Sequence, residues 1–539
     1  MGLNSSMSTA LSGLRAAQTG LSITGHNVSN SSVTGFTRQQ AIQQDFSSIT
    51  IGSSNVGSLK LQVGLGTEIG AIRQIRNKFY DMNYREQNSA GNFYARKYTA
   101  GEEINNIIGE TQTDYRAQKA LDGLWVSVNE LIKNPEGIET RQTFIQSSIS
   151  FLDRMKDISR NLFEYQLNLN EQVKQEVDKI NANVERIAIL NEKIQQIESD
   201  GSRANDLRDE RNLLLDELSG YIDIEVKESP IPGSFASRMD ILVNGNELLV
   251  NNVPNKIGLK YINGDYPFYE PVFTNSKDIL PANDTSKKLF PNLATEDLSK
   301  TSQGAKGSLK GLLVSRGDKI GNYTQADENS NFLITKVQAK IDKLVHEVVT
   351  LINNSATGKG LDGADGVPIF VRKNRPEDRD GLFNPDGTPE LDENTNNFST
   401  LFSLDNIEIN PRLLESDGYN KLGFSESGDK GDTKILEAIS KAWKEPKEEL
   451  GGISIDGFYK KIITDFAVEI QDARENLDSQ INSINLTENK RLSLSAVSLD
   501  EELSNMLKFQ HAYNSAAKVI NVIDSMIDKI VNGTGRVGI

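Results

Sequence analysis

Apolar residues near both ends of the chain recur with the spacing of a helix that packs against another helix. The N-terminal series alternates steps of four and three residues, and its members are Leu3, Met7, Ala10, Leu14, Ala17 and Leu21, with Leu11 and Val28 beside them. The C-terminal series consists of Leu499, Leu503, Met506, Tyr513, Ala517, Ile520, Ile523, Ile527 and Ile530. Such spacing is typical of coiled-coil seams. It predicts a helix from residue 4 to about 30 and another that closes the chain.

The C-terminal helix has sequence signals at both ends. Ser498 is a suitable N-cap, and Glu501 three positions later completes a capping box. Asp500 and Glu502 suit the positive end of the helix dipole, and Gly533 is a suitable stop. These signals place the last helix between Ser498 and Gly533.

Long helices also occupy much of the middle of the chain. Charged sequence with helical apolar stripes covers residues 92–220, 331–354 and 457 onwards. Asn134-Pro135 should separate two helices, because the residue before a proline disfavours the α conformation. These stripes predict rod-like helices that pack into a bundle.

A β-rich stretch begins near residue 222. Asn244-Gly245 and Asn263-Gly264 lie between apolar runs and are typical of tight hairpin turns. Residues 355–435 are rich in Gly, Asp, Asn and Pro, which predicts loops with short strands. The β-rich stretch is therefore an insertion between helical segments.

These patterns together predict a multidomain α+β protein with paired N- and C-terminal helices, a long-helix bundle domain and an inserted β-rich outer domain. Residues 1–45 and 495–539 form a terminal helical assembly domain in this interpretation. Residues 46–221 and 455–494 form the long-helix rod domain, with a contribution from 304–354. Residues 222–454 form the β-rich outer insert.

Composition narrows the classes of function. The 539 residues contain 59 Lys and Arg against 75 Asp and Glu, a net charge of −16, which disfavours nucleic acid or anionic membrane surfaces as partners. There is no Cys and there are only three His, which argues against thiol catalysis and zinc sites. Asp378-Arg379-Asp380-Gly381 begins like a calcium loop but continues with Leu382. We expect no catalytic residue, cofactor or metal, and no membrane span or cleavable signal peptide.

The terminal helices have a weak apolar stripe for their length. The N-terminal stripe is partly alanine, and Gly13, Gly20 and Gly25 each disfavour the helix by about 1 kcal/mol relative to alanine. The stripes are compatible with an intramolecular coiled coil or with packing between subunits. We favour packing between subunits and expect the termini to become ordered when neighbouring copies surround them.

The two ends resemble the signatures of the bacterial flagellar axial proteins, which comprise rod, hook and hook-associated proteins. The N-terminal match is MSTALSGLRAAQTGLSITGHNVSNSSVTGFTRQQ at 7–40, and the C-terminal match is the run that begins SLDEELSNMLKFQ at 498. Three internal segments resemble the hook-associated member at the hook–filament junction: 205–219, 307–318 and 358–370. His26 and His511 stand where the family usually has Asn and Gln, so a pH-sensitive interface is an open question.

The resemblance implies a structural subunit of the flagellum that is exported by the flagellar type III system without signal peptide cleavage and polymerises extracellularly. Its implied partners are further copies in a ring or helical layer, hook protein, the next hook-associated protein and a dedicated export chaperone, with no nucleic acid and no membrane. A hook or distal rod subunit is the alternative within this family. A secreted coiled-coil adhesin that uses 222–450 as a binding module is the alternative from another class.

The candidate interface residues follow from the stripes and the matched signatures. The N-terminal candidates are Leu3, Met7, Leu11, Leu14, Leu21, Asn27, Val28, Asn30, Gly35, Phe36, Arg38 and Gln39. The C-terminal candidates are Leu499, Leu503, Met506, Phe509, Tyr513, Ile520, Ile523 and Ile527, of which Leu499, Leu503, Met506, Ile520 and Ile527 are also expected to bind the chaperone. The segment with Phe36, Arg38 and Gln39 is compatible with an ordinary loop, but the resemblance favours a contact segment. The carboxylates of Asp206, Asp209 and Glu210 are expected to be neutralised by Arg203, Arg208 and Arg211.

Overall fold

The protein is described here by a computed structural model, which covers residues 3–46, 48–53, 60–109, 117–263, 266–296, 298, 304–323, 330–379, 393 and 400–533. The helices are α1 (Leu3–Ser29), α2 (Lys78–Ile108), α3 (Ala117–Lys133), α4 (Ile138–Glu198), α5 (Asn205–Tyr221), α6 (Ser308–Arg316), α7 (Leu333–Ser355), α8 (Lys434–Lys444), α9 (Ile455–Ser495) and α10 (Leu499–Gly533). The strands are β1 (Gln39–Asp45), β2 (Ser48–Ser53), β3 (Lys60–Gly64), β4 (Thr67–Gln74), β5 (Glu225–Pro230), β6 (Ser237–Val243), β7 (Asn246–Val250), β8 (Val253–Pro254), β9 (Ile257–Tyr261), β10 (Tyr269–Phe273), β11 (Phe370–Arg372) and β12 (Ile407–Ile409). The predicted mixed α+β class with helical ends and long internal helices is confirmed.

Helix boundaries follow the sequence signals closely. α3 ends at Lys133 and α4 begins at Ile138, so Asn134-Pro135 separates two helices as predicted. At the start of α10 the Glu501 N–H donates to Ser498 Oγ at 3.5 Å, which confirms the N-cap. The carboxylate of Glu501 accepts from Arg38 Nη1 at 2.6 Å. Only the first half of the expected capping box is therefore confirmed.

The β-rich stretch begins where the alternating pattern does. β5, β6, β7 and β8 form an antiparallel sheet in sequence order. Asn244 and Gly245 both have positive φ, 50° and 73°, which is the requirement of a tight type I′ hairpin. β9 pairs with β10, with Tyr261 opposite Tyr269. Gly264 of the second hairpin signal lies outside the described residues.

The strands β1 to β4 and the helix α8 were not expected from the sequence. β1 pairs with β4 from Gln39 opposite Gln74 to Asp45 opposite Thr67. β1 reads QQAIQQD and has no alternation of apolar and polar residues. Its conformation is set by pairing with a distant segment rather than by local preference.

The chain divides into two compact units. The first comprises 1–88, 180–255 and 481–539, and the second comprises 89–179 and 256–480. These borders differ from those of the three sequence domains, which stay a prediction. The first unit contains α1, α5, α10 and the β5–β8 sheet, together with parts of α2, α4 and α9.

The second unit has an apolar core to which the predicted stripes contribute. Val337, Leu344 and Val348 of α7 are fully or nearly fully buried, as are Phe144 and Leu162 of α4. These side chains belong to the core, as their helical spacing predicts.

The segment 307–318, which belongs to the second unit, is structural. A β-carbon on Gly311 would lie 2.9 Å from the carbonyl oxygen of Phe93, so glycine permits a close approach of two helices. Arg316 is 1% exposed and donates to Asn170 Oδ1 at 2.5 Å and to the Gly317 carbonyl at 2.8 Å. The resemblance of this segment to the axial proteins therefore concerns packing rather than a reactive site.

Candidate assembly interface

Helices α1 and α10 pack against each other within the first unit. Gly20 lies under the ring of Phe509, and Asn27 contacts Glu502, so residue numbers rise along the two helices in opposite directions. The pairing is antiparallel. Small side chains of α1 are also buried, among them Ala10, Ala16 and Ala17. Pairing of the ends within one chain is therefore confirmed.

A set of five polar residues joins the end of α1 and the following segment to the start of α10. We call Asn27, Arg38, Gln39, Glu501 and Glu502 the terminal clamp. Arg38 Nε donates to Glu502 Oε1 at 2.8 Å, and its backbone N–H donates to the Ser495 carbonyl at 2.9 Å. Arg38 therefore contacts both sides of the turn that precedes α10.

Asn27 uses its whole amide group in the terminal clamp. Its Nδ2 donates to Glu502 Oε2 at 3.0 Å and to the Gln39 carbonyl at 2.9 Å. Its Oδ1 accepts from the Gln39 N–H at 3.0 Å. Asn27 is 1% exposed and Glu502 is 2% exposed, so the carboxylate lies in a site where Arg38 supplies the compensating charge.

The segment after α1 also binds to α5. His26 Nε2 lies 3.2 Å from Asp206 Oδ1, and Gln39 Nε2 donates to the same oxygen at 2.9 Å. The Thr37 N–H donates to Asp209 Oδ2 at 3.0 Å. The carboxylates of α5 therefore hold residues 26–39, and the expected contact segment joins α1 to both α5 and α10.

The expected neutralisation of these carboxylates by nearby arginines is wrong. Arg208 donates to Glu198 at 2.6 Å, and Glu210 accepts from Arg186. Asp206 and Asp209 instead bind the residues described above. The reason is geometric, because residues one or two apart along a helix do not face each other.

Burial sets the protonation of Asp209. The side chain is 9% exposed, and this burial raises the pKa of its carboxyl to about 6, although the Thr37 N–H and the Arg76 guanidinium lower it. Arg76 Nη1 lies 3.8 Å from Asp209 Oδ1. The contact between α5 and the segment after α1 thus includes a group that changes charge in mildly acidic solution.

The candidate residues differ in their exposure. On the N-terminal side Asn27 and Gln39 are buried and Leu11 is 39% exposed, whereas those of intermediate exposure are Met7, Leu14, Leu21, Val28, Asn30, Gly35, Phe36 and Arg38. The side chain of Leu3 lies outside the described residues. On the C-terminal side Ile523 is buried, those of intermediate exposure are Met506, Phe509, Ile520 and Ile527, and Leu499, Leu503 and Tyr513 are exposed.

α10 has apolar side chains beyond those that contact α1. Leu499, Leu503 and Leu507 form an exposed flank along its first half, and each is at least half exposed. Val519, Val522, Met526 and Ile530 form a second exposed flank along its last half, at 49–53% exposure. With Ile520, Ile523 and Ile527, these side chains form an apolar face over about half of the circumference, and Lys518, Asn521, Asp524 and Asp528 lie on the opposite face. Because part of this apolar face stays exposed beside the contact with α1, it is available to a further partner.

Among the described residues, no three His, Asp or Glu side chains are grouped so that they could hold a metal ion. Asp378 of the calcium-like sequence binds the guanidinium of Arg372, whereas Asp380 and Gly381 lie outside the described residues. No helix in the described ranges has both the length and the apolar character needed to cross a membrane.

Comparisons with known proteins match several parts of the chain to flagellar proteins. The sequence model for the flagellar hook-associated protein FlgK helical domain matches residues 102–370. The model for the flagellar basal body rod FlgEFG protein C-terminal region matches residues 488–533, which contain α10. Flagellar hook-associated protein 1 of Bacillus subtilis is 27% identical over 550 residues, covering 98% of each chain.

A more distant relative carries the same description. Flagellar hook-associated protein 1 of Escherichia coli is 23% identical over 578 residues, covering 98% of this chain and all of that protein. The solved structure of the flagellar hook junction protein FlgK from Burkholderia pseudomallei aligns over 54% of this chain and 46% of that one, with 20% identity and a TM-score of 0.42.

Proposed function

We propose that this chain joins hook to filament by polymerising through its terminal helices. The premise of this proposal is that the chain belongs to the family of flagellar hook-associated protein 1. As a member of this family it is a structural subunit of the bacterial flagellum. The hook–filament junction is its place in that organelle, and neighbouring copies supply the contacts that complete α1 and α10.

The exposed flanks of α10 carry this proposal. Seven apolar side chains lie on two sides of one helix and have no cover in the described part of the chain that would remove them from water: Leu499, Leu503, Leu507, Val519, Val522, Met526 and Ile530. Burial of each contributes about 1.5–3 kcal/mol when fully achieved. Exposed apolar surface of this kind marks sites of protein–protein contact. Neighbouring copies that cover both flanks would convert this surface into interface.

The apolar residues of α10 also fit the remaining partners. During export we propose that a chaperone covers Leu499, Leu503, Met506, Ile520 and Ile527 in a groove, because an amphipathic helix is a suitable ligand for such a groove. After type III export without signal peptide cleavage, the candidate interface residues pack against further copies, hook protein and the next hook-associated protein. Residues 222–454 then form the outer domain of the subunit. This function requires no catalytic residue.

A deletion of the gene tests the proposal. Cells that lack this chain should build hooks without filaments and release flagellin into the medium. Bodies without hooks would instead support a hook or distal rod subunit. Normal filaments would contradict the proposal outright.

Complementation of the deletion locates the interface. A double variant, Leu503→Ser with Leu507→Ser, should fail to restore filaments although its monomer remains folded. The matched control is Gln510→Ser with Asn514→Ser, which changes two exposed polar residues of the same helix and should restore filaments. Equal complementation by both variants would exclude the first flank from assembly.

Limited proteolysis tests the expected ordering of the ends. In dilute monomer, residues 1–40 should be cleaved faster than the helices of the second unit, because the pairing of α1 with α10 opens locally, and assembly should protect them. Full protection of these residues in dilute monomer would contradict ordering on assembly.

A further inference from the structure

In the described chain, strand β1 has β4 as its neighbour on one side, and its other side is an edge. Near the two ends of this pairing the Ile75 N–H donates to the Arg38 carbonyl at 2.9 Å, and the Phe46 N–H donates to the Gly66 carbonyl at 3.0 Å. Backbone groups of successive residues in a strand point to opposite sides, so the even-numbered residues of β1 bond to β4. The odd-numbered residues of β1 therefore direct their N–H and C=O groups towards the outer edge.

The first odd-numbered residue of β1 agrees with this direction. The Gln39 N–H donates to Asn27 Oδ1 at 3.0 Å, and the Gln39 carbonyl accepts from Asn27 Nδ2 at 2.9 Å. The amide of Asn27 thus takes the position that a neighbouring strand would take. Ala41 and Gln43 point the same way, and their outward groups form no hydrogen bond within the described ranges.

The outer edge of β4, in contrast, is covered by helices. The Thr67 N–H donates to Ser12 Oγ at 3.1 Å, and the Ile72 carbonyl accepts from Asn205 Nδ2 at 3.3 Å. Side chains of α1 and α5 thus occupy two positions along that edge. The open part of the two-stranded ribbon is the stretch 40–44 of β1.

This open edge lacks the features by which proteins keep strand edges apart. Residues 40–44 read QAIQQ and include no charged residue and no proline. Lysine, other charges and proline are the usual means of preventing edge-to-edge pairing. The side chains are accessible as well, because Gln40, Gln43 and Gln44 are exposed and Ile42 is 38% exposed. An edge of this composition is a template for another strand.

We propose that the β1 edges of two copies of this chain pair antiparallel about a twofold axis at Ile42. In this register Ala41 of one copy lies opposite Gln43 of the other, so their outward N–H and C=O groups are all bonded. Ile42 lies opposite itself, and Gln40 lies opposite Gln44, which pairs one side-chain amide with another. The stretch is complementary to its own antiparallel copy, which argues for a second copy rather than an unrelated strand.

This contact differs in kind from assembly through the terminal helices. Both copies use the same surface, so the contact is isologous and closes as a dimer. It cannot extend into a ring or a helical layer. The dimer is therefore a state of the chain before assembly, and the inference goes beyond the proposed function. The strand is short, so we expect a weak dimer that a covalent link can trap.

Disulfide trapping tests the contact, because the chain contains no natural cysteine. Residues opposite each other in a non-hydrogen-bonded antiparallel pair have Cα atoms about 4.5 Å apart, which suits a disulfide. The purified full-length Ile42→Cys variant should therefore form dimers under mild oxidation with diamide. A mixture of Gln40→Cys and Gln44→Cys chains should form mixed dimers for the same reason.

The matched control is Gln44→Cys alone, which changes an exposed residue on the same face of the same strand. Its two cysteines lie roughly 14 Å apart in the proposed register, because four residues of strand separate them. We expect at least about tenfold less disulfide dimer from this control than from Ile42→Cys.

Proline at position 41 provides a second measurement. Ala41→Pro removes an N–H that points away from β4, so the ribbon keeps its bonds while the dimer loses one bond from each copy. The dissociation constant by sedimentation equilibrium should rise at least about tenfold, whereas Ala41→Ser keeps the N–H and should leave it unchanged. Circular dichroism verifies that both variants are folded.

Equal disulfide yields from Ile42→Cys and Gln44→Cys overturn the contact, and so does an unchanged dissociation constant of folded Ala41→Pro. If Ala41→Pro does not fold, the cysteine variants decide alone. Neither result bears on the proposed function, which fails instead if cells that lack the chain build normal filaments.

Discussion

The ring of Phe509 occupies the space in which a β-carbon on residue 20 would lie, since Cδ1 is 2.6 Å from that position. Gly20 therefore permits a close approach of α1 and α10 at this point. Gly13 and Gly25 lie in the same helix, but a β-carbon on either would meet nothing within 4 Å. All three glycines disfavour the helix by a similar amount, but of the three only Gly20 lies against a side chain of α10.

Alanine substitutions at these glycines should distinguish the intrinsic helix preference of the residue from its packing against Phe509. Gly13→Ala and Gly25→Ala should each raise the free energy of unfolding by up to about 1 kcal/mol, because alanine favours the helix. Gly20→Ala should lower it by about 1–3 kcal/mol, because the added methyl overpacks against Phe509. Urea unfolding monitored by circular dichroism and hydrogen exchange of α1 provide the measurement. Three equally stabilising variants would mean that Phe509 moves aside freely.

Removal of Arg38 should weaken the terminal clamp. Arg38→Ala leaves the carboxylate of Glu502 buried without its ion-pair partner, which should destabilise the pairing of α1 and α10 by about 3 kcal/mol. Faster amide exchange in the first turns of α10 is the expected signal. Arg15→Ala changes an exposed arginine of α1 and serves as the control. Equal exchange rates in the two variants would show that Asn27 alone holds Glu502.

The buried carboxyl of Asp209 should make stability depend on pH. Its pKa is raised to about 6 in the folded chain from 3.8, so the folded state binds the proton more tightly than the unfolded state does. The resulting stabilisation is fully present below about pH 4 and is lost as pH rises through about 6. The Asp209→Asn variant does not titrate at this position. Wild type should therefore lose about 2–3 kcal/mol relative to the variant between pH 4 and pH 7.

Denaturant unfolding of both proteins at several pH values checks this prediction. A difference between them that does not change from pH 4 to pH 7 would contradict the raised pKa. Salt should change the difference little, because buried charges are screened weakly.

The second exposed flank of α10 should act in assembly and not in monomer stability. Val522→Ser with Met526→Ser should change the free energy of unfolding by less than about 1 kcal/mol, because both side chains are about half exposed. Self-association measured by sedimentation velocity should fall strongly. The control is Asn521→Ser with Asp528→Ser on the same helix. An unchanged sedimentation profile would remove this flank from the interface.

The sequence predicts those features that depend on local spacing. The stripe from Leu499 to Ile530, the break at Asn134-Pro135 and the Asn244-Gly245 hairpin are recognisable because each depends on neighbouring residues. β1 could not be recognised, because its glutamine-rich strand is specified by its pairing with β4. The sequence pattern also does not predict that Leu503 is exposed and Ile523 is buried, because the spacing of apolar residues does not show which neighbouring element covers each of them.

The partners within the candidate site were equally hard to predict. The family resemblance identifies Asn27, Arg38 and Gln39, but it does not predict that Asn27 and Arg38 share Glu502 as a partner. Glu502 was interpreted only as a residue suited to the helix dipole. The expected arginine partners of Asp206 and Asp209 are wrong, because residues that are close in sequence need not face each other on a helix.

The terminal clamp also orders events in time. Asn27 and Glu502 are 475 positions apart, so a chain that leaves a ribosome or an export channel with its N-terminus first presents the amide long before the carboxylate. The clamp of a subunit cannot close until nearly the whole polypeptide has emerged. The earliest residues to appear are consequently among the last to reach their final structure, and a truncated chain that ends before α10 would never lock its own beginning in place.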